Sequence, residues 1–279
     1  MRVLVTGALG MLGSVLLPVL EAQHQVYGVD LQDFDITDET AVGAAFRKLR
    51  PEFVFHLAAF TDVDACEASP VKSEQVNSLG TRNLARACAE VGAGMLYVST
   101  DYVFDGRSSR PYREDDSPNP LSVYGLSKLR GERYVQALVP EHVIARSSWL
   151  YGPGGKNFVS TILKYAKERG KLRVVADQRG TPTYTRHLAA KLVELVAARA
   201  RGVFHVTGSG NCSWCEFASA IVKAGGYPQV PVAPINTPEA GRLARRPAFS
   251  VLDNHRLLES GLAPLPPWTE GLAQYLTEM

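Results

Sequence analysis

Arg2-Val3-Leu4-Val5-Thr6-Gly7-Ala8-Leu9-Gly10-Met11-Leu12-Gly13 is the stretch that decides the fold. Arg2 to Val5 is apolar and β-branched, as a buried parallel strand requires. Three glycines follow at once, and Ser14-Val15-Leu16-Leu17-Pro18-Val19-Leu20 then reads as a buried helix with Pro18 a kink point. Strand, glycine turn and helix in that order form a phosphate-binding unit. Gly7 permits the tight turn, Gly10 lets backbone approach a pyrophosphate, and Gly13 allows close helix–strand packing. Helix N–H groups then face the anion. The spacing is G-x-x-G-x-x-G, not the G-x-G-x-x-G of standard dehydrogenases.

Outward from this turn, strand and helix signals alternate. Gln25–Val29 is a second strand ending at Asp30, and Thr37-Asp38-Glu39 caps a helix running to about Leu49. Phe53–Leu57 and Met95–Ser99 are the third and fourth strands, separated by a helical region from Ser73 to Val91. A helix over Val123–Leu138 precedes a fifth strand at Val143–Arg146. This pattern predicts an α/β protein, a Rossmann-type doubly wound parallel sheet with helices on both faces. Gly7, Asp30, Ala58-Ala59, Thr100 and Trp149 all fall at or just past carboxyl ends of strands, the edge where such sheets bind ligands. After about residue 150 the loops grow richer in Gly and Pro, and helices are expected near 157–169, 185–199 and 213–224. We therefore expect a dinucleotide-binding unit over 1–150 with a return segment near 179–200, and a smaller substrate lobe from 151–178 and 201–279. Gly152 to Lys156 is not a nucleotide P-loop, lacking G-x-x-x-x-G-K-[ST].

Composition narrows the class. The chain has 279 residues, 21% charged and 46% hydrophobic, with net charge +2. That is ordinary for a globular protein and gives no electrostatic case for nucleic acid. No apolar stretch approaches the ~18 residues needed to cross a bilayer. The N-terminus reads as a strand and glycine loop rather than a signal peptide, and four cysteines do not make a disulfide scaffold, so a cytoplasmic location is expected. Cys212-Ser213-Trp214-Cys215 is a lone C-x-x-C opening a late helix, without a second pair or nearby His to complete a metal site.

Tyr124-Gly125-Leu126-Ser127-Lys128 carries the chemistry. Positions i and i+4 share one helix face, so an ammonium lies near a phenol. That proximity favours the phenolate and predicts a tyrosine pKa below its usual value of about 10, suited to proton transfer. Thr100, at the end of the fourth strand, supplies a hydroxyl able to polarise a substrate carbonyl. Asp30 can accept hydrogen bonds from ribose hydroxyls and would repel a 2′-phosphate. No Arg or Lys lies between Gln25 and Arg47, so NADH is favoured over NADPH.

In TGALGMLG (6–13), DITD (35–38), HLAAFTDVDACE (56–67), STDYVFDG (99–106), YREDDSPNPLSVYGLSKLRGE (112–132), RSSWLYGPGGKNFVSTIL (146–163), VVADQRGTPTYT (174–185), FHVTGSGNCSWCEFA (204–218) and RPAFSVLD (246–253), the chain resembles the dTDP-4-dehydrorhamnose reductase branch of the extended short-chain dehydrogenase/reductases. The glycine turn and Y-x-x-x-K are common to the superfamily, whereas STDYVFDG and RSSWLYG are much narrower. The resemblance implies a catalytic triad of Thr100, Tyr124 and Lys128. It implies cofactor contacts from Gly7, Gly10, Met11, Leu12, Gly13, Asp30, Asp35, Ile36, Ala58, Ala59 and Thr61, with Tyr124 and Lys128 at the nicotinamide ribose. Thr100, Asp101, Tyr102 and Trp149 are implied at the deoxysugar, the Trp149 indole face packing on the pyranose. Asn157, Lys156 and Arg246 are further candidates, at the nucleotide pyrophosphate.

The implied reaction is reduction of the C4 ketone of a nucleotide-linked sugar, dTDP-4-dehydro-L-rhamnose, by NADH or NADPH. Dehydratases of the superfamily carry Glu after Thr-Asp, and Tyr102 stands there instead. An epimerase, or a non-catalytic regulator like the regulatory subunit of methionine adenosyltransferase, is the alternative. Some members dimerise through magnesium using an acidic residue early in the first helix. Here the first acid after Gly13 is Glu21, which argues against a metal bridge and leaves a homodimer of another kind open.

Overall fold

A computed structural model describes residues 1–279. Five strands, β1 (Arg2–Thr6), β2 (Gln25–Val29), β3 (Phe53–His56), β4 (Gly94–Thr100) and β5 (His142–Ser147), pair in parallel with a sixth at Gly202–His205. Their spatial order is 2-1-3-4-5-6. This is the doubly wound order 2-1-3-4-5 with a sixth strand added beyond β5, and Asp30–Asp38 runs as turns where a further edge strand could lie beside β2. The order reverses between β1 and β3, whose carboxyl ends therefore open a crevice.

Period-two alternation divides the strands between two cores. Val3, Val5, Phe55, Leu96 and Ala145 face α1 (Gly13–Glu21) and the Thr185–Ala197 helix, where Leu16, Leu188 and Leu192 are fully buried. Leu4, Val54, Met95 and Ile144 face α2 (Glu39–Leu49) and the Thr81–Val91 and Val123–Leu138 helices. Each buried Leu, Val or Phe contributes about 1.5–3 kcal/mol. Asp38 starts α2 by accepting from the Thr40 and Ala41 N–H groups at 2.9 and 3.0 Å. The helix before β4 begins earlier than its periodicity predicts, at Pro70, and passes through a π segment, Glu74–Gly80.

A third core holds the smaller lobe. Tyr151, Tyr184, Phe217, Tyr275 and Ile221 pack beneath the Phe158–Arg169, Trp214–Ala224 and Trp268–Thr277 helices. The expected division at residue 201 requires correction. Gly202–His205 pairs with β5 as the sixth sheet strand, and Leu252 bridges back to Tyr112 beside it. Four residues flanked by a helix and a loop carry too short an apolar run to declare a strand. The β5 edge supplies the backbone partners that make it one. No helix is long and apolar enough to cross a membrane.

Candidate active site

The crevice between β1 and β3 opens into a cavity of about 740 Å³ that runs along the carboxyl edge of the sheet. One end is backbone. Gly7 sits at φ +71°, and a Cβ there would lie 2.7 Å from the Ala58 nitrogen. A Cβ on Gly13 would lie 2.3 Å from the Gly7 carbonyl oxygen. The turn is thus closed to side chains, and Gly10, Met11 and Leu12 line the cavity beside it. Asp30 braces the turn, accepting from the Leu9 N–H at 3.0 Å and the Leu31 N–H at 2.8 Å. Asp35 and Ile36 line the same end.

Ala58, Ala59 and Thr61 form the middle. Asn77 in the π segment fixes this run: its Oδ1 accepts from the Phe60 N–H at 2.8 Å. Its Nδ2 donates to the Phe60 carbonyl at 2.9 Å and to Ser127 Oγ at 3.1 Å. One amide therefore ties the cavity floor to the helix bearing Tyr124.

The far end is built from side chains. Ser122 caps the Val123–Leu138 helix through the Gly125 N–H. A Cβ on Gly125 would lie 2.1 Å from the Tyr102 carbonyl oxygen, so the helix packs hard against the Asp101–Val103 turn. This contact sets Tyr124 beside Thr100. Thr100, Asp101 and Lys128 are buried, while Tyr102 and Tyr124 are half-exposed to the cavity, their rings edge-on at 6.1 Å. Lys128 Nζ lies 4.0 Å from the centre of the Tyr97 ring. Burial pulls its pKa down to about 7, against an opposing pull from Glu132 one turn on. Glu132 in turn pairs with Arg146 of β5 in a bidentate, fully enclosed ion pair, with Ser99 donating to the same carboxylate.

The tyrosine titrates in the direction opposite to the sequence expectation. Enclosure in the cavity pushes the Tyr124 phenol up, against a lowering by the Thr100 hydroxyl. Helical spacing correctly puts Lys128 one turn away, but its ammonium lies over Tyr97, and desolvation governs the phenol.

The structure places four expected sugar or nucleotide contacts, only one of them in the cavity wall. Asn157 caps the Phe158–Arg169 helix: its Oδ1 accepts from the Ser160 N–H at 3.0 Å. Its Nδ2 donates to the Gly152 and Gly155 carbonyls and to the Tyr275 hydroxyl. It lies outside the cavity with its polar atoms used. Arg246 forks onto Asp64 at 3.0 and 3.1 Å and donates to the Ala244 carbonyl, behind Tyr102 rather than in the cavity wall. Trp149 does line the cavity, in the left-handed region at φ +48°, but one indole face is taken: Trp214 stacks on it with ring centroids 3.5 Å apart. Gly180 is small because a Cβ there would strike the same indole at 2.5 Å. Lys156 is exposed and does not line the cavity.

Phe60, Lys72, Val76 and Trp214 also line the cavity without a signal in their local sequence, apart from Phe60's place inside the Ala58–Thr61 run. The C-x-x-C segment is a helix entry. Ser213 and Glu216 form a capping box, and burial pushes the Cys212 thiol up to about 12.

The doubly wound sheet, the glycine turn at its switch point and the Thr100–Tyr124–Lys128 corner define the chain as an extended short-chain dehydrogenase/reductase. The model of the family described as RmlD substrate binding domain matches residues 1–279. The chain belongs to that family, the one that contains the dTDP-4-dehydrorhamnose reductases. It is 41% identical over 280 residues to dTDP-4-dehydrorhamnose reductase of Streptomyces griseus, covering 98% of this chain and 92% of that one. It is 41% identical over 278 residues to spore coat polysaccharide biosynthesis protein SpsK of Bacillus subtilis, covering 99% and 97%. The crystal structure of dTDP-4-dehydrorhamnose reductase from Bacillus anthracis in complex with NADP superposes with a TM-score of 0.97 at 39% identity, covering 100% of this chain and 99% of that one.

Proposed function

We propose that the protein reduces the C4 ketone of dTDP-4-dehydro-L-rhamnose to give dTDP-L-rhamnose, using a reduced nicotinamide dinucleotide. The observation that carries this reading is the convergence of Thr100, Asp101, Tyr102, Tyr124 and Lys128 at one end of a cavity whose other end is a glycine cradle. The cradle fits a dinucleotide, because Gly7 and Gly13 admit no Cβ against Ala58 and the Gly7 carbonyl, so the turn packs tightly and presents the Gly10–Leu12 backbone to the cavity. Gly10 to Leu12 would hold the pyrophosphate, Asp30 the adenosine ribose, Asp35 and Ile36 the adenine, and Ala58 to Thr61 the span between. A dihydronicotinamide, when bound, supplies the hydride.

The chain's own residues then manage the proton. Thr100 and Tyr124 hold the ketone oxygen, and Tyr124 donates its phenolic proton as negative charge develops there. A phenol held above its ordinary pKa is fully protonated at neutral pH, and the charge developing on the ketone oxygen draws the proton across. Lys128 stabilises the phenolate left behind and holds the nicotinamide ribose. Tyr102 stands where dehydratases of the superfamily carry Glu, which supports reduction over dehydration. Asp30, with only Lys72 and Lys128 as cations in the cavity wall, supports NADH over NADPH.

The test is oxidation of NADH and of NADPH against a panel of nucleotide-linked 4-ketosugars. We expect the fastest turnover with dTDP-4-dehydro-L-rhamnose and NADH. A tightly held dinucleotide that is never consumed would instead mark an epimerase, and no turnover with any ketosugar would remove the reading.

A further inference from the structure

Trp149 holds a backbone conformation that bulky residues rarely adopt, with φ at +48°. Such a conformation persists only where its surroundings over-determine it. Here they grip the indole from both sides. On one face Trp214 lies nearly parallel, at an interplanar angle of 9° and a centroid separation of 3.5 Å. A Cβ on Gly180 would lie 2.5 Å from Trp149 Cε2 and 2.7 Å from both Cζ2 and Nε1. Being nearest to the middle atom of the three, it sits over the ring rather than beyond its rim. Trp214 leaves no room for it on the stacked face, so Gly180 covers the other.

The two jaws are tied together. Arg179–Gly180 and Cys212–Ser213 pair as antiparallel strands, with Gly180 opposite Cys212. The chain then enters the helix that Trp214 begins. Arg179 locks this junction, donating to Asn211 Oδ1 at 2.9 and 3.1 Å and to Glu216 Oε2 at 3.2 Å. Phe158 backs the Trp214 ring at 4.6 Å. Both indoles are half-buried and line the cavity. With its faces covered, Trp149 offers the cavity a rim held at a fixed angle, not an open stacking surface.

We propose that Trp214 is a positioning residue for the sugar: with Gly180 it clamps Trp149, so that the ketosugar is seated against the rim of a fixed aromatic wall. The inference rests on the ketone-reduction reading above. Trp214 acts through Trp149, which makes its ring, rather than its bulk, the property that matters.

Two substitutions separate ring from bulk. Trp214→Leu keeps an apolar filler against Phe158 but removes the stack, and Trp214→Phe keeps a stacking ring. In Trp214→Leu the KM for dTDP-4-dehydro-L-rhamnose should rise about 10-fold. Its kcat should stay within about twofold of wild type, and its affinity for NADH, followed by fluorescence titration, should not change. Trp214→Phe should restore KM to within about threefold of wild type. An unmoved KM in Trp214→Leu overturns the clamp, and so does equal impairment of the two variants. A Trp214→Leu protein that loses NADH affinity along with KM also overturns it, since the effect is then a general loosening.

Proton NMR of the wild-type indoles tests the clamp without a variant. Stacking shifts the ring protons upfield, and that shift should persist at saturating dTDP-L-rhamnose. Its loss on binding would show that the stack opens to give the sugar a face, and would overturn the clamp even if Trp214→Leu fails to fold. No wild-type turnover with any ketosugar defeats the ketone-reduction reading and the clamp's role with it. Wild-type turnover beside an unmoved KM in Trp214→Leu defeats the clamp alone.

Discussion

At the glycine turn the cavity wall is set by backbone packed too close for a Cβ at Gly7 or Gly13, and at the Thr100–Lys128 corner it is side chains buried with their polar atoms. The first end gains its shape from what is missing, so its geometry is set once the strand and helix pack. The second depends on a long relay of support: Gly125 against Tyr102, Asn77 against Phe60 and Ser127, and Glu132 against Arg146. Binding and chemistry are therefore separable by mutation. Changes at the turn should cost affinity and stability, and changes at the corner should cost rate.

The largest expected effect is at the corner. Tyr124→Phe should lower kcat by about 10³-fold while the affinity for reduced cofactor, followed by fluorescence titration, stays at the wild-type value. Near-normal turnover in that variant would erase the distinction between the two ends. Next comes Gly13→Ala, whose methyl would lie 2.3 Å from the Gly7 carbonyl oxygen and 2.6 Å from that of Ala8. It should lose about 1–3 kcal/mol in urea denaturation and bind cofactor more weakly, with kcat at saturating cofactor little changed. A variant as stable as wild type would show that the turn tolerates a side chain.

The smallest effect is a pH dependence of the cofactor-free protein. Lys128 titrates near 7 when folded and near 10.5 when unfolded. Between those values the unfolded chain binds more protons, so this residue makes stability rise with pH. The gain is at most about 1.4 kcal/mol per pH unit. Comparing denaturation midpoints of wild type and Lys128→Met at pH 7 and 8 isolates it. A difference that does not grow with pH would show that the lysine is solvated rather than enclosed.

The two ends also differ in how far they can be read from residues alone. Gly7, Gly10 and Gly13 announce themselves because strand, turn and helix are contiguous, and the Val123–Leu138 helix has the bounds expected of it, with Ser122 capping its start. Tyr124 and Lys128 follow from helical spacing. The remainder is tertiary. Nothing near Trp214 reveals that it stacks on Trp149, and nothing near Asn157 reveals that its amide is consumed by Gly152, Gly155 and Tyr275. Arg246 looks like a free anion contact until Asp64, far away in the chain, is brought against it. The direction of the Tyr124 shift needs the volume of apolar wall around it, which spacing does not contain.

The sixth strand has a consequence for how the molecule assembles. The chain leaves the sheet after β5, builds part of the smaller lobe, returns for Gly202–His205, leaves for the Trp214–Ala224 helix, and crosses back so that Leu252 meets Tyr112. No single cut frees either lobe as an unbroken piece. Each passage closes a long loop before its contacts are gained, so the last parts of the sheet and the lobe core must form together and comparatively slowly. A nascent chain that has not yet emerged past this strand holds the glycine turn and Tyr124 but lacks the lobe that carries Trp214. The cavity wall is thus complete only once the chain has been made past Trp214.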